Sequence, residues 1–392
     1  MFSLLRIKHK TKTEFYNIKQ FNFGLYKGEE KFLISAINDN AYKKLLGGFL
    51  LKKRKLFVFS TSLTLAMAFL LSGCGGGEGE KTSGSGVEKK TIKVANYFAE
   101  NHPQNIALKE KFKRIVEKES NGELEVRIYA NSTLGAEKEF YDGVRNGTIE
   151  MGVPGLIMQS DIPKMGVPEW PFLFRDYDHV KKVLNGPIGE ELTEELDPKH
   201  GVTPLAWSAN GFRMFSSNRP IKSMKDFDGL RLRMPNIPNY IKLGESLGAN
   251  VSPLPISEVF TALEQKVVDA QDNPIATLRS SGWNEVQSDV LESKHMFSPN
   301  IYIINSKFYK GLTKEQQTII QKAAKVSAAY EFDLMEKSYE DDKAYLKDNG
   351  IKFTKPDEDF SQEMLKASQP VYDEVFEEND WAEELVGKIK AE

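Results

Sequence analysis

An α/β fold with room for two domains is what this sequence predicts, on three observations. Strand-like and helix-like segments alternate at the start of the body, and a stretch of about 35 helix-compatible residues lies near the C-terminus. At 392 residues and 40% hydrophobic content, the chain can bury more than one small core.

The N-terminal part reads as a leader. Lys52-Lys53-Arg54-Lys55 precedes an apolar run from Leu56 to Leu71 and then Ser72-Gly73-Cys74, the basic, apolar and small-residue order of a signal peptide. The run is shorter than the roughly 20 residues a membrane-spanning helix needs. Leu71-Ser72-Gly73-Cys74 resembles a bacterial lipobox, so residues 51–73 are expected to be a lipoprotein signal peptide and Cys74 the lipidation site. Residues 74–89 are a Gly/Ser/Glu/Lys tract with too little apolar content to pack a core. As a flexible linker its core of about 13 residues reaches roughly 20 Å, enough to hold a domain just off a membrane. Residues 1–50 fit this plan poorly, because signal peptides begin close to their basic segment. They are expected to be an untranslated or disordered extension: Gly47-Gly48 is encodable by a ribosome-binding sequence, with Leu51 read from a UUG start codon shortly after.

In the body, Thr91 to Asn96 reads as a strand. Leu108, Phe112, Ile115 and Val116 then fall on one helix face, and Asn121-Gly122 turns the chain. Leu124, Val126 and Ile128 alternate with Glu123, Glu125 and Arg127, the period of a strand with one buried face. Thr313 and Gln316 form a capping-box pattern ahead of a helix from Lys314 to about Asp348, stopped by Asn349-Gly350. At 1.5 Å per residue it would measure about 52 Å, so it must kink or span two lobes. Ile351 to Thr354 reads as a strand and Ser361 to Val375 as a closing helix.

Charge and motifs exclude several functions. The formal charge is −3 for the chain but −12 from Cys74 onward, so no basic face is available for nucleic acid. One cysteine rules out an internal disulfide. No zinc-protease motif, nucleophile elbow, phosphate loop or dinucleotide glycine motif occurs, and no catalytic residue, metal or cofactor is expected. His102, His179, His200 and His295 are scattered and read as surface or satisfied core residues.

The informative stretch lies between Trp207 and Gln287. It contains Asn210-Gly211-Phe212-Arg213, then Gly229-Leu230-Arg231-Leu232-Arg233-Met234-Pro235, then Leu247-Gly248-Ala249-Asn250. Pro255-Ile256-Ser257-Glu258-Val259-Phe260 and Val267-Val268-Asp269-Ala270-Gln271-Asp272-Asn273-Pro274 follow. In order and spacing these motifs resemble the extracytoplasmic solute receptors of tripartite ATP-independent periplasmic (TRAP) transporters, of the C4-dicarboxylate and sialic-acid kind. Trp170-Pro171-Phe172-Leu173-Phe174 and the Leu134-Gly135-Ala136-Glu137 turn extend the resemblance, which runs from about Ile92 to the C-terminus.

The resemblance implies a two-lobed, periplasmic-binding-protein-like fold with a central cleft, crossover strands and the long C-terminal helix bridging the lobes. Residues 90–210 with about 299–338 would form lobe I, and 211–298 with about 339–392 lobe II. It also implies three substrate-binding residues: Arg233 as the main carboxylate clamp, Arg213 as a second ligand arginine, and Asn273. A guanidinium offers a carboxylate two parallel donors, which suits that role. Gly155 stands where sialic-acid receptors carry an acidic residue, and Ile256 where an aromatic is common, which argues against sialic acid. Tyr97, Trp207 and Trp283 remain open as candidates for lining a sugar. The expected function is an exported, lipid-anchored receptor on the outer face of the cytoplasmic membrane. It would deliver a small organic acid, a dicarboxylate or a sugar acid, to the small and large membrane subunits of a transporter. An exported receptor for a sensor kinase is the alternative, and an exported ester hydrolase a weaker third.

Overall fold

The structure, a computed structural model, describes residues 7–9, 12–14 and 89–392. The chain divides into two units, Met1–Gly84 and Ser85–Glu392. In the first, Ile7–His9 and Lys12–Glu14 pair as antiparallel strands. The signal peptide, Cys74 and residues 74–88 of the linker lie outside the described residues. Among the described residues no helix is long and apolar enough to cross a membrane.

The second unit opens with the βαβ expected from its periodicity. Strand β1 (Lys90–Ala95) runs parallel to β2 (Leu124–Tyr129) with Ile92 opposite Val126. Between them, helix α1 (residues 103–119) is widened to π geometry over Leu108–Lys113. Leu108, Phe112 and Val116 of α1 pack on Ile92, Val94, Leu124 and Val126, all fully buried. Each such side chain contributes about 1.5–3 kcal/mol when removed from water. The next elements are helix α2 (Glu137–Asn146), strand β3 (Met151–Gly152) and helix α3 (Tyr177–Leu184).

Two long strands, β4 (Val202–Ser217) and β8 (Asp289–Asn305), run antiparallel through the middle of a nine-stranded mixed sheet. Between them come β5 (Arg231–Met234), α4 (Pro238–Ser246), β6 (Asn250–Pro253) and β7 (Ala270–Asn273). After β8 follow helix α5 (Lys314–Asp348) and strand β9 (Lys352–Thr354). The sheet order is β2-β1-β3-β8-β4-β7-β5-β6, with β9 on β8. Strand β3 pairs with the C-terminal end of β8 (Gly152 opposite Ile303) and β7 with the C-terminal end of β4 (Asn273 opposite Met214). Because β4 and β8 are antiparallel, these docking points lie at opposite ends of the ladder, and the sheet divides into two α/β lobes with β4 and β8 common to both.

The ladder between β4 and β8 is broken where the lobes meet. Ser298 pairs with Gly211 and Pro299 with Ala209, leaving Asn210 unmatched. Helix α5 is one unbroken element of 35 residues, capped by Thr313 and Gln316. Ile319, Ile320, Ala323 and Ala324 join the core of the first lobe, and Leu346 packs with Val290 and Ile351 in the second.

The C-terminal segment departs from the single closing helix expected over residues 361–375. Two helices, α6 (Glu358–Ala367) and α7 (Gln369–Glu378), meet at Ser368. Pro370 causes the break: it lacks an N–H and starts a new first turn. A further helix, α8 (Ala382–Ala391), packs Leu385, Val386 and Ile389 into the cluster around Trp170 and Val180. Phe360 and Met364 of α6 belong instead to the cluster of Phe215 and Leu232.

Candidate functional site

A cavity of about 480 Å³ opens where the two lobes face each other. Its lining includes Tyr97, Glu137, Gly155, Glu169, Asn210, Arg213, Arg233, Tyr240, Ile256 and Asn273. The three substrate-binding residues expected from the sequence, Arg233, Arg213 and Asn273, are therefore brought together in one cavity.

The two arginines are not equivalent. Strand β5 alternates Arg231 outward and Arg233 inward, and Arg231 pairs at the surface with Asp269, Nε to Oδ2 at 2.8 Å. Arg233 is 2% exposed, and its Nε and Nη2 donate to the Leu254 carbonyl at 2.9 and 2.6 Å. Among the described residues no carboxylate comes within ion-pair distance of it. Burial lowers its pKa to about 10, against the favourable field of Asp272, so it stays charged at neutral pH.

Arg213 already has its counter-ion. Its Nε donates to Asp272 Oδ2 at 2.6 Å and its Nη2 to Oδ1 at 2.8 Å, a bidentate pair closed by a further bond to the Asp272 carbonyl. The Tyr240 ring covers the guanidinium at 4.9 Å. Burial works against both charges, but the pairing wins: Asp272 is held well below the usual carboxylate range and Arg213 well above its own. His295 Nε2 lies 3.4 Å from Asp272 Oδ2, and burial keeps this imidazole neutral.

Asn273 is 3% exposed and donates from Nδ2 to Gln271 Oε1 at 2.8 Å, which fixes its amide plane in the wall. Two further carboxyls line the cavity, and sequence reasoning did not assign them. Glu169 is 1% exposed; its Oε1 accepts from Tyr240 Oη at 2.6 Å and Ser298 Oγ at 3.0 Å, and its Oε2 from Gln159 Nε2 at 2.8 Å. Glu137, on the first turn of α2, accepts the Gly155 N–H at 2.7 Å. Burial and the nearby Glu169 charge raise Glu137 to about 7, against the Gly155 N–H and both arginines. Gly155 leaves the room for this: a Cβ there would lie 3.1 Å from Glu137 Oε1 and 3.5 Å from Tyr97 Oη.

Of the aromatic candidates, Tyr97 faces the cavity and accepts from Asn300 Nδ2 at 2.8 Å. Trp283 is buried in the core with Met214 and Val259, and Trp207 donates to the Gly189 carbonyl away from the cavity. Ile256 lines the cavity rim. His102, His179, His200 and His295 are structural. His102 caps a helix by accepting the Gln104 N–H at 3.1 Å, and burial lowers it to about 3; His179 bonds the Ile389 carbonyl, His200 the Tyr141 hydroxyl, and His295 the Ser293 hydroxyl. Among the described residues no group of side chains could hold a metal ion.

The chemistry of the wall is that of a binding site. One buried guanidinium without a carboxylate partner meets amides, a tyrosine hydroxyl and two carboxyls, and among the described residues lining the cavity nothing is arranged as nucleophile and base.

Comparison with known proteins gives the same class. Residues 94–379 match the family described as bacterial extracellular solute-binding protein, family 7. A TRAP periplasmic solute binding protein from Haemophilus influenzae, solved with bound L-gulonate, is 41% identical with a TM-score of 0.75, covering 77% of this chain and 99% of its own. The sugar acid binding protein DctPAm from Advenella mimigardefordensis, solved with galactonate, is 28% identical with a TM-score of 0.74, covering 78% and 97%. The 2,3-diketo-L-gulonate-binding periplasmic protein YiaO of Escherichia coli is 34% identical over 251 residues, 64% of this chain and 76% of its own.

Proposed function

The chain belongs to the family 7 bacterial extracellular solute-binding proteins, which are solute receptors and not enzymes, and from that premise we propose that it captures a sugar acid for a TRAP-type transporter. The observation that carries the reading is Arg233, a buried cation in the cavity with a carbonyl but, among the described residues, no carboxylate for company; similar structures hold L-gulonate and galactonate. A ligand carboxylate supplies the missing charge as two parallel hydrogen bonds, with Asn273 and the free edge of Arg213 beside it.

The lining carboxyls favour hydroxyls. Glu137 and Glu169 offer acceptors to a polyol chain, whereas a second carboxylate there would face like charge. A polyhydroxy monocarboxylate therefore fits better than a C4-dicarboxylate. The ladder break at Asn210 supports a hinge between lobe I (residues 90–210 with about 299–338) and lobe II (211–298 with about 339–392), closing on the ligand.

Thermal-shift measurements with L-gulonate, galactonate, succinate and a neutral hexose test this. A ligand at 100 times its dissociation constant adds about 2.7 kcal/mol of stability. Sugar acids are expected to stabilise the protein; succinate or the neutral hexose as the best stabiliser would overturn the assignment.

The anchor belongs to the same proposal. Acylation of Cys74 would tether the receptor beside its membrane subunits, and Cys74→Ser is expected to abolish incorporation of labelled fatty acid. A multi-span transport subunit encoded beside this gene supports delivery to a transporter; a sensor kinase there supports signalling.

A further inference from the structure

Glu331 is a buried acid that the ligand cavity does not use. It sits on α5 with 0% exposure, and its Oε2 accepts the Ala209 N–H of β4 at 2.8 Å. Its Oε1 has no hydrogen-bond partner, and no cation lies within ion-pair distance among the described residues. Burial pushes its carboxyl well above the usual range, against the Ala209 N–H, so it is held as the neutral acid. Buried polar groups left half-satisfied are rare enough to need a reason.

The reason lies in the bulge. Ala209 pairs with Pro299, and the next residue, Asn210, is the unmatched one. A bulge takes backbone groups out of the ladder, and the Ala209 N–H finds its acceptor on α5 instead. One helical turn earlier, Ser327 bonds Tyr302 Oη, which receives Gln104 Nε2, while Gln104 Oε1 accepts from Ser208 Oγ. Successive turns of α5 thus hold Ser208 through a relay and Ala209 directly. Past the bulge the character changes. Gly211, at φ +113°, packs against Met335, whose Cε would lie 3.1 Å from a Cβ at that position, an apolar contact that can slide. The unmatched Asn210 lines the ligand cavity with Arg213 and Ser298.

We propose that Glu331 is a positioning residue that clasps β4 to α5 at the last polar contact before the Asn210–Gly211 bulge, so that ligand contact at Asn210 and bending of the long helix are one movement. The ligand side of this inference rests on the sugar-acid reading above; the clasp itself does not.

The test compares Glu331→Gln, which keeps a neutral acceptor, with Glu331→Leu, which keeps bulk and removes it. Exchange of the Ala209 amide and calorimetric titration with L-gulonate are measured on each. Glu331→Gln is expected to keep amide protection and affinity within about threefold of the parent, and Glu331→Leu to lose roughly tenfold in both. Parent-like affinity and protection in Glu331→Leu, or equal losses in both variants, would overturn the proposal. If Glu331→Leu does not fold, Glu331→Asp, whose shorter side chain cannot reach Ala209, replaces it with the same expected losses. If the parent itself ignores L-gulonate, the sugar-acid reading fails, and the Ala209 exchange contrast still decides the clasp.

Discussion

At Arg233 the protein keeps a desolvated cation opposite a single carbonyl, and at Arg213, in the same cavity, a cation in a bidentate pair. The first arrangement costs stability that a bound anion recovers; the second is internally balanced. Arg233→Ala is therefore expected to weaken sugar-acid binding by about 2–5 kcal/mol while leaving the unliganded melting temperature unchanged or higher. Arg233→Lys should also bind more weakly, because an ammonium lacks the planar fork. Arg213→Ala strands Asp272 and should cost about 3–5 kcal/mol of folding stability. Arg231→Ala, at the surface, should leave affinity within a few-fold. Calorimetry with thermal unfolding reads all four, and loss of binding in Arg231→Ala with none in Arg233→Ala would show the clamp to be wrongly placed.

Glu137 adds a pH dependence. With its pKa raised to about 7, it is half protonated near neutrality in the ligand-free protein. A bound anion nearby raises it further, so binding takes up a proton and affinity falls as pH rises through 7. The stability contribution has the same sign: the folded state holds the proton more tightly than the unfolded one, so stability falls between the unfolded carboxylate value and about 7. Titrations across this range should show the decline for the parent and a flat profile for Glu137→Gln. Glu137 was visible in the sequence only as part of a turn motif, and Glu169 only as a charge inside the apolar run Val167 to Trp170. Their partners, Gly155 for one and Gln159, Tyr240 and Ser298 for the other, converge through tertiary structure that no local spacing encodes. Arg233, Arg213 and Asn273, which the resemblance implied, each sit in a short motif at the end or bulge of a strand, and all three line the cavity.

At the scale of elements, legibility followed local chemistry. Helix α5 begins and ends where the Thr313 capping box and Asn349-Gly350 place it, because caps act within one turn. The break at Ser368 was also local, signalled by Pro370, and the apolar spacing of Ala382, Leu385, Val386 and Ile389 marks α8 as an amphipathic helix. The bulge in β4 was not legible, since it is defined by the partner strand. Gly211 is where it leaves a mark on the sequence. At φ +113°, a Cβ would also lie 2.8 Å from Tyr177 Oη, so Gly211→Ala is expected to cost about 1–3 kcal/mol in urea unfolding. A cost below half a kcal/mol would mean that the bulge readily takes another conformation.

For the whole molecule, strands β4 and β8 are shared property, and this bears on how the chain reaches its fold. The edge formed by β1 and β3 is complete only when Ile303 and Ile304 of β8 arrive, about 150 residues after Met151. Strand β8, common to both lobes, is synthesised after every other strand of the sheet except β9. Long-range pairing of this kind slows folding, because loop closure precedes the contacts that reward it. A chain ending at residue 288, before β8, is expected to show no cooperative unfolding transition by circular dichroism, whereas residues 89–392 should unfold in one. For a polypeptide destined to cross a membrane before it folds, a topology that withholds its central strand until late in synthesis lengthens the interval in which the chain is still linear enough to be threaded.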